Sequence, residues 1–221
     1  MVDTLLQAAN EISVMTVWEL IAVILAVAYL ALAMKTSKWC WHAAFISTAI
    51  YTVLFWQVSL LMESVLNVYY MAMAVYGYWL WAQKPKTEAD STPSTDNKQD
   101  GSLIESWSLA KHGVVIAITG AVSLLLGYLM ATYTQASFAY LDAATTCFAV
   151  MTTYLVAKKV LENWIYWVVI DLVSIYLYFQ KGLMLTTVLF VGYVFMAVAG
   201  YFMWRKRYLA QTAINPNLAT A

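Results

Sequence analysis

Apolar residues run through this chain in long blocks separated by short polar breaks. The blocks lie at about 16–34, 39–56, 59–82, 109–132, 138–157, 163–180 and 184–204. Each is close to the roughly 20 residues that a membrane-crossing helix needs. Most breaks are very short: KTSK at 35–38, QVS at 57–59, KK at 158–159 and QKG at 180–182. The exception is QKPKTEADSTPSTDNKQDGS at 83–102, which has mixed charge, prolines and no aromatic residue. Such a composition buries too little surface to offset the entropy of ordering, so it predicts a flexible linker. The pattern as a whole predicts an all-α integral membrane protein with seven transmembrane helices. Its predicted divisions are a first three-helix unit at 1–82, a linker at 83–108, a linking helix at 109–133, a second three-helix unit at 134–207 and a tail at 208–221.

Composition agrees with that pattern. The chain is 63% hydrophobic and only 11% charged, with a mean hydropathy of +0.69. A soluble domain carries about 25% charged residues. The formal net charge of zero gives no footprint for nucleic acid. The first apolar block follows Asp3 and Glu11 rather than a basic segment, so no cleavable signal peptide is expected. Cys40 and Cys147 belong to no motif and read as small apolar helix residues.

Charge also gives an orientation. When the sides are numbered by alternation, Lys35, Lys38, Lys84, Lys86, Lys98, Lys111, Lys158, Lys159, Arg205, Lys206 and Arg207 share one side, and only Lys181 lies on the other. The positive-inside rule makes the basic side cytoplasmic, with the N-terminus outside and the C-terminus inside. The expected location is a bacterial cytoplasmic (inner) membrane.

The regions flanking the fourth block resemble each other. At an offset of 125 residues Trp39 matches Trp164, Tyr51 matches Tyr176, MAMAVY (71–76) matches MAVAGY (196–201), and Trp79 matches Trp204. A 3+1+3 plan makes these parallel repeats, the fourth helix inverting the chain between them; such repeats carry sites near mid-membrane at their interface. Gly113, Gly120 and Gly127 stand at heptad spacing in that fourth helix, a stripe suited to close helix packing.

An ionisable group inside a span costs ~2.5–3.5 kcal/mol even on a lenient scale, so each one asks for a reason. Glu19 and Asp142 lie near span ends, where a carboxylate reaches water. Asp171 lies near the middle of the sixth span, and Trp164, Trp167, Asp171, Ser174 and Tyr178 share one helical face. Glu63, Asn67 and Tyr70 share a face of the third. An acid and two indoles on one buried stripe suit a flat, cationic heterocycle, with ring stacking and a carboxylate for its polar edge. His42 and His112 are isolated and read as surface residues, and no metal or cofactor site is expected. P-loop, HExxH and nucleophile-elbow motifs are absent, so no enzyme is predicted.

ENWIYW (162–167), NVYY (67–70), YGYWLW (76–81) and AGYFMW (199–204) together resemble the PnuC-type vitamin transporters. The resemblance implies seven helices in a 3+1+3, SWEET-like arrangement, a homotrimer, and facilitated diffusion of nicotinamide riboside that a cytosolic vitamin kinase traps by phosphorylation. It also implies substrate contacts for Asn67, Tyr70, Trp164 and Trp167. A similar branch carries thiamine and another riboflavin. The segment TTVLF (186–190) offers only threonines near Leu189, where some nicotinamide riboside carriers have Gln or Glu. That leaves nicotinamide riboside and thiamine as the two expected substrates, in that order.

Overall fold

The computed structural model describes residues 17–57, 61–83, 103–134 and 138–214. They form α1 (Val17–Met34), α2 (Cys40–Gln57), α3 (Leu61–Ala82), α4 (Leu109–Tyr133), α5 (Ala139–Ala157), α6 (Asn163–Gln180) and α7 (Met184–Ile214). At 1.5 Å per residue even the 18-residue helices span about 27 Å, close to the thickness of a bilayer's hydrocarbon core. By length and hydropathy alone α1, α4 and α7 qualify as membrane-crossing. The other four fall short because they carry more polar and aromatic residues, some of them inward; α6 holds Asn163, Trp164, Trp167, Asp171 and Ser174.

The outer surface is apolar. In α4 only His112, Thr119, Ser123 and Gly127 are buried, while Ile118, Val122, Leu124 and Leu125 face outward. This surface suits lipid rather than water. The glycine stripe in α4 is mostly not a packing seam: a Cβ on Gly113 or Gly120 would meet nothing within 4 Å, and only Gly127 lies tightly against a neighbour, Tyr140.

Two boundaries differ from the sequence expectation. The tail placed at 208–221 is helical as far as Ile214, because α7 runs on past the apolar block. The end of the expected linker is held: Glu105 N–H donates to Lys159 O (3.0 Å), Leu161 N–H donates to Glu105 O (2.8 Å), and Ile104 is 5% exposed within the core cluster. Residues 84–102 of that linker lie outside the described residues.

The helices pack as two triplets. α2 lies between α1 and α3, and α6 between α5 and α7; the triplets meet where α3 packs on α5 and α7 on α1, and α4 packs on α5. Equivalent geometry recurs at an offset of 123 residues. Trp41 lies across Gly77, where a Cβ would come within 2.3 Å of the indole; Trp164 lies across Gly200, where it would come within 2.7 Å. Trp41 meets Trp81 edge-on at 5.4 Å, and Trp164 meets Trp204 edge-on at 5.4 Å. The Trp81 indole donates to Ala157 O at the end of α5, and the Trp204 indole donates to Ala33 O near the end of α1, each at 3.0 Å. Thr36 and Lys159, again 123 apart, both have φ of 54°, the left-handed turn that each triplet makes between its first two helices. In this register ten of the 22 residues of α3 recur identically in α7. The 125-residue alignment is therefore two residues out: Trp164 corresponds to buried Trp41, not to Trp39, which is 62% exposed.

Candidate functional site

A cavity of about 270 Å³ lies between the triplets, lined from α1, α2, α3, α5, α6 and α7. Its wall is built from positions that correspond at the 123-residue offset. Trp41 and Trp164 both line it, as do Tyr70 and Tyr193. At three further paired positions the residues differ: Leu30 of α1 stands where α5 has Thr153, Ala44 where α6 has Trp167, and Thr48 where α6 has Asp171.

Asp171 is 4% exposed, and its carboxylate makes no hydrogen bond or ion pair among the described residues. The indole N–H groups of Trp41 and Trp164 are buried without a hydrogen-bond partner. Native interiors leave few polar atoms in this state, because an unmet buried donor or acceptor costs about 1–3 kcal/mol and a charged one more. Three hydroxyls of the wall are already committed to carbonyls. Ser47 Oγ donates to Ala22 O, Thr48 Oγ1 to Ala44 O and Thr153 Oγ1 to Ala149 O, each at 2.8 Å. Trp167 adds a half-buried ring, and Phe190 and Tyr29 complete the aromatic lining. The arrangement can hold a flat, cationic molecule: faces for the ring, a buried carboxylate for its charge or an N–H edge, and oxygen acceptors for hydroxyls.

Of the eight residues singled out from sequence, Trp164, Trp167, Asp171 and Tyr70 line this cavity. Trp164 is 1% exposed. Glu63 is exposed in the first turn of α3, and Asn67 uses its amide to donate to Glu63 O of its own helix at 2.8 Å. Ser174 is buried beyond the cavity wall, and Tyr178 packs at 5.0 Å on Phe190, one residue behind it. Spacing along α3 and α6 correctly grouped these residues by face, but only the packing of α3 decides which part of its stripe turns inward. Thr48, Ser47 and Tyr193 were missed. Small hydroxyl residues and a tyrosine are ordinary inside a helix, and only the two-residue correction of register would have pointed to them.

A larger groove of about 540 Å³ runs between α4, α5 and α6, with mainly apolar walls. His112 stands at its basic end and is not an isolated surface residue: it is buried, 2.9 Å from Tyr166 Oη and 3.6 Å from Glu162. Glu162 in turn accepts hydrogen bonds from Ser106 and from Trp107 N–H. His112 Nε2 has no hydrogen-bond partner there, but the groove's walls are mainly apolar, so the smaller cavity between the triplets, with Asp171 and two unpartnered indoles, is the better candidate site. Among the described residues no group of three His, Cys, Asp or Glu side chains could hold a metal ion.

Comparison with known proteins adds an independent line. The family model described as "Nicotinamide mononucleotide transporter" matches residues 16–206. The riboflavin/roseoflavin transporter RibM of Streptomyces davaonensis is 25% identical over 194 residues, 86% of this chain and 84% of that protein. The nicotinamide riboside transporter PnuC of Escherichia coli K12 is 18% identical over 184 residues, covering 72% of each chain. A crystal structure of the vitamin B3 transporter PnuC superposes with a TM-score of 0.69 at 17% identity, covering 94% of this chain and 88% of that one, which establishes a shared fold.

Proposed function

Because the chain belongs to the nicotinamide mononucleotide transporter family, we propose that it takes up a cationic vitamin across the bacterial cytoplasmic membrane, with nicotinamide riboside the first candidate. The observation that carries this reading is the buried, unpartnered carboxylate of Asp171 beside Trp167 in the cavity between the triplets. A pyridinium ring stacks on the indole, and its amide edge or its charge meets the carboxylate. The hydroxyls of the α2 wall supply acceptors for a ribose. Thiamine is the second reading: a carboxylate rather than an amide at Asp171 suits the amino edge of an aminopyrimidine.

The transport cycle follows from the architecture we assign. Seven spans in a 3+1+3 plan of two parallel, SWEET-like repeats are supported by the matched tryptophan–glycine contacts, the matched turns and the matched packing of α3 on α5 and α7 on α1. The basic loops face the cytoplasm, with the N-terminus outside and the C-terminus inside. The family and its relatives are transporters rather than enzymes, and the sequence contains no ATPase motif. Rocking of one triplet against the other exposes the cavity to each side in turn, which is facilitated diffusion. Phosphorylation by a cytosolic vitamin kinase traps the arriving molecule, and a homotrimer is the working assembly.

Uptake into vesicles reconstituted with the purified protein tests this. Radiolabelled nicotinamide riboside should enter saturably without ATP or an imposed gradient. Asp171→Asn and Trp167→Ala should each abolish most of that uptake. Undiminished uptake in both variants would sink the site assignment, and uptake of thiamine alone would exchange the two substrate readings.

A further inference from the structure

We infer that Thr48 is a specificity-determining residue, the acceptor that receives the hydroxyl-bearing part of the substrate while Asp171 and Trp167 hold its ring. The inference rests on the proposed vitamin site but not on which vitamin fills it.

Thr48 occupies in α2 the place that Asp171 occupies in α6, and both line the cavity. Around them Trp41 matches Trp164 and Tyr70 matches Tyr193, while Leu30 stands where α5 has Thr153. A wall built alike on both sides would hold a ligand equally well in either of two orientations. The differences at Thr48 and Ala44 remove that degeneracy. Ala44 leaves open on the α2 side the space that the Trp167 indole fills on the α6 side. The flat ring therefore goes to α6 and the non-aromatic remainder to α2.

What that remainder must be follows from where the hydroxyl protons already are. A threonine hydroxyl has one hydrogen and two acceptor lone pairs. The hydrogen of Thr48 is directed at Ala44 O (2.8 Å) and Phe45 O (3.1 Å), carbonyls of its own helix. The neighbouring Ser47 spends its hydrogen on Ala22 O. Toward the cavity these oxygens can only accept, so they favour a substrate tail that donates. A ribose, a ribityl chain or a hydroxyethyl group does so; the same tail capped as an ether does not. An ether oxygen facing Thr48 would bring together two acceptors with no hydrogen between them.

Isothermal titration of the purified full-length protein with matched ligand pairs tests this. The pairs are nicotinamide riboside with 1-methylnicotinamide, thiamine with its analogue bearing ethyl in place of hydroxyethyl, and riboflavin with lumiflavin. Wild-type binding first identifies which hydroxylated parent the site takes, and that result alone judges the substrate reading. Thr48→Val, which keeps the shape and removes the hydroxyl, should then weaken that parent about three- to tenfold. It should leave the hydroxyl-free partner within about twofold, and Thr48→Ser should keep the parent's affinity. An O-methylated parent should bind the wild type more weakly and gain nothing from the hydroxyl, so Thr48→Val should not weaken it further. Equal losses for both members of the pair, or an unchanged parent, would overturn the role of Thr48. Should Thr48→Val fail to fold, the O-methylated parent on the wild type decides: binding as tight as the parent's overturns it. Binding of none of the three parents overturns the vitamin site and this inference together.

Discussion

The α1–α3 half and the α5–α7 half carry matched contacts at an offset of 123 residues and differ in the surface each turns to the cavity. Where the two agree, the residues hold helices together: an indole laid across a glycine, a second indole edge-on to it, a donor to the end of a helix in the other half. Within the cavity wall they disagree at three pairs: Leu30 against Thr153, Ala44 against Trp167, and Thr48 against Asp171. On the proposed reading, agreement outside the cavity wall marks architecture and disagreement within it marks selectivity. A tryptophan is not functional here because it is a tryptophan. Trp81 and Trp204 are core, Trp167 lines the cavity, and Trp41 and Trp164 do both.

The largest effect should come from making the halves alike at the cavity. Ala44→Trp places a second indole where α2 now leaves room, so substrate uptake should fall by on the order of 100-fold or more, the loss of a well-filled site. Stability should change far less than uptake. Vesicle uptake and thermal unfolding of the same preparation check both halves of that statement, and retained uptake would show that the cavity does not bind from the α2 side.

The next effect tests the agreement itself. Gly77→Ala and Gly200→Ala each drive a methyl into an indole, and overpacking of this kind costs about 1–3 kcal/mol. If the halves are equivalent, the two losses should match within about 1 kcal/mol in thermal or denaturant unfolding in detergent. A large loss at one glycine and none at the other would mean that the shared geometry is not shared energetics.

A smaller effect separates the two inter-half indole bonds. Trp81→Phe leaves Ala157 O without its donor, whereas after Trp204→Phe the carbonyl of Ala33 keeps the Thr36 N–H at 2.9 Å. An unsatisfied buried carbonyl costs about 1–3 kcal/mol, so Trp81→Phe should be the more destabilising by roughly 1 kcal/mol. Equal unfolding midpoints for the two variants would break that distinction.

Much of this was legible in the sequence, for identifiable reasons. Six of the seven helices begin and end close to the edges of the apolar blocks, because most blocks run into polar residues such as Lys35, Gln57, Gln83 and Lys158, whereas α7 continues through Arg205, Lys206 and Arg207 to Ile214. Asp171 stood out because an acid in mid-span is expensive. The offset went wrong by two residues because Trp39 and Trp79 are conspicuous, yet both are exposed; the informative pairs were Trp41 with Gly77 and Trp164 with Gly200. The α2 wall was illegible for a different reason. Alanine, serine and threonine in a helix announce nothing until a counterpart shows what could have stood there. Glu63 and Asn67 failed because spacing fixes which residues share a face of α3 but not which way that face is turned.

The smallest effect lies at the end of the bundle remote from the basic loops. Lys181, after α6, contacts both carboxylate oxygens of Asp142 in the first turn of α5 at 3.0 Å, and the two side chains are 34% and 26% exposed. Geometry that good would suggest a strong staple, but partial exposure lets water and ions compete with it. Ion pairs at this level of exposure contribute about 0–1 kcal/mol. Asp142→Asn should therefore lower stability by less than about 1 kcal/mol, and raising salt should shrink the difference from wild type. The carboxylate also stands where α1 carries Glu19, so it falls among the positions at which the halves agree in charge. By the rule drawn above it belongs to architecture, and substrate affinity should not move. A clear loss of affinity in Asp142→Asn with stability intact would show that agreement between the halves can also mark the path of the substrate.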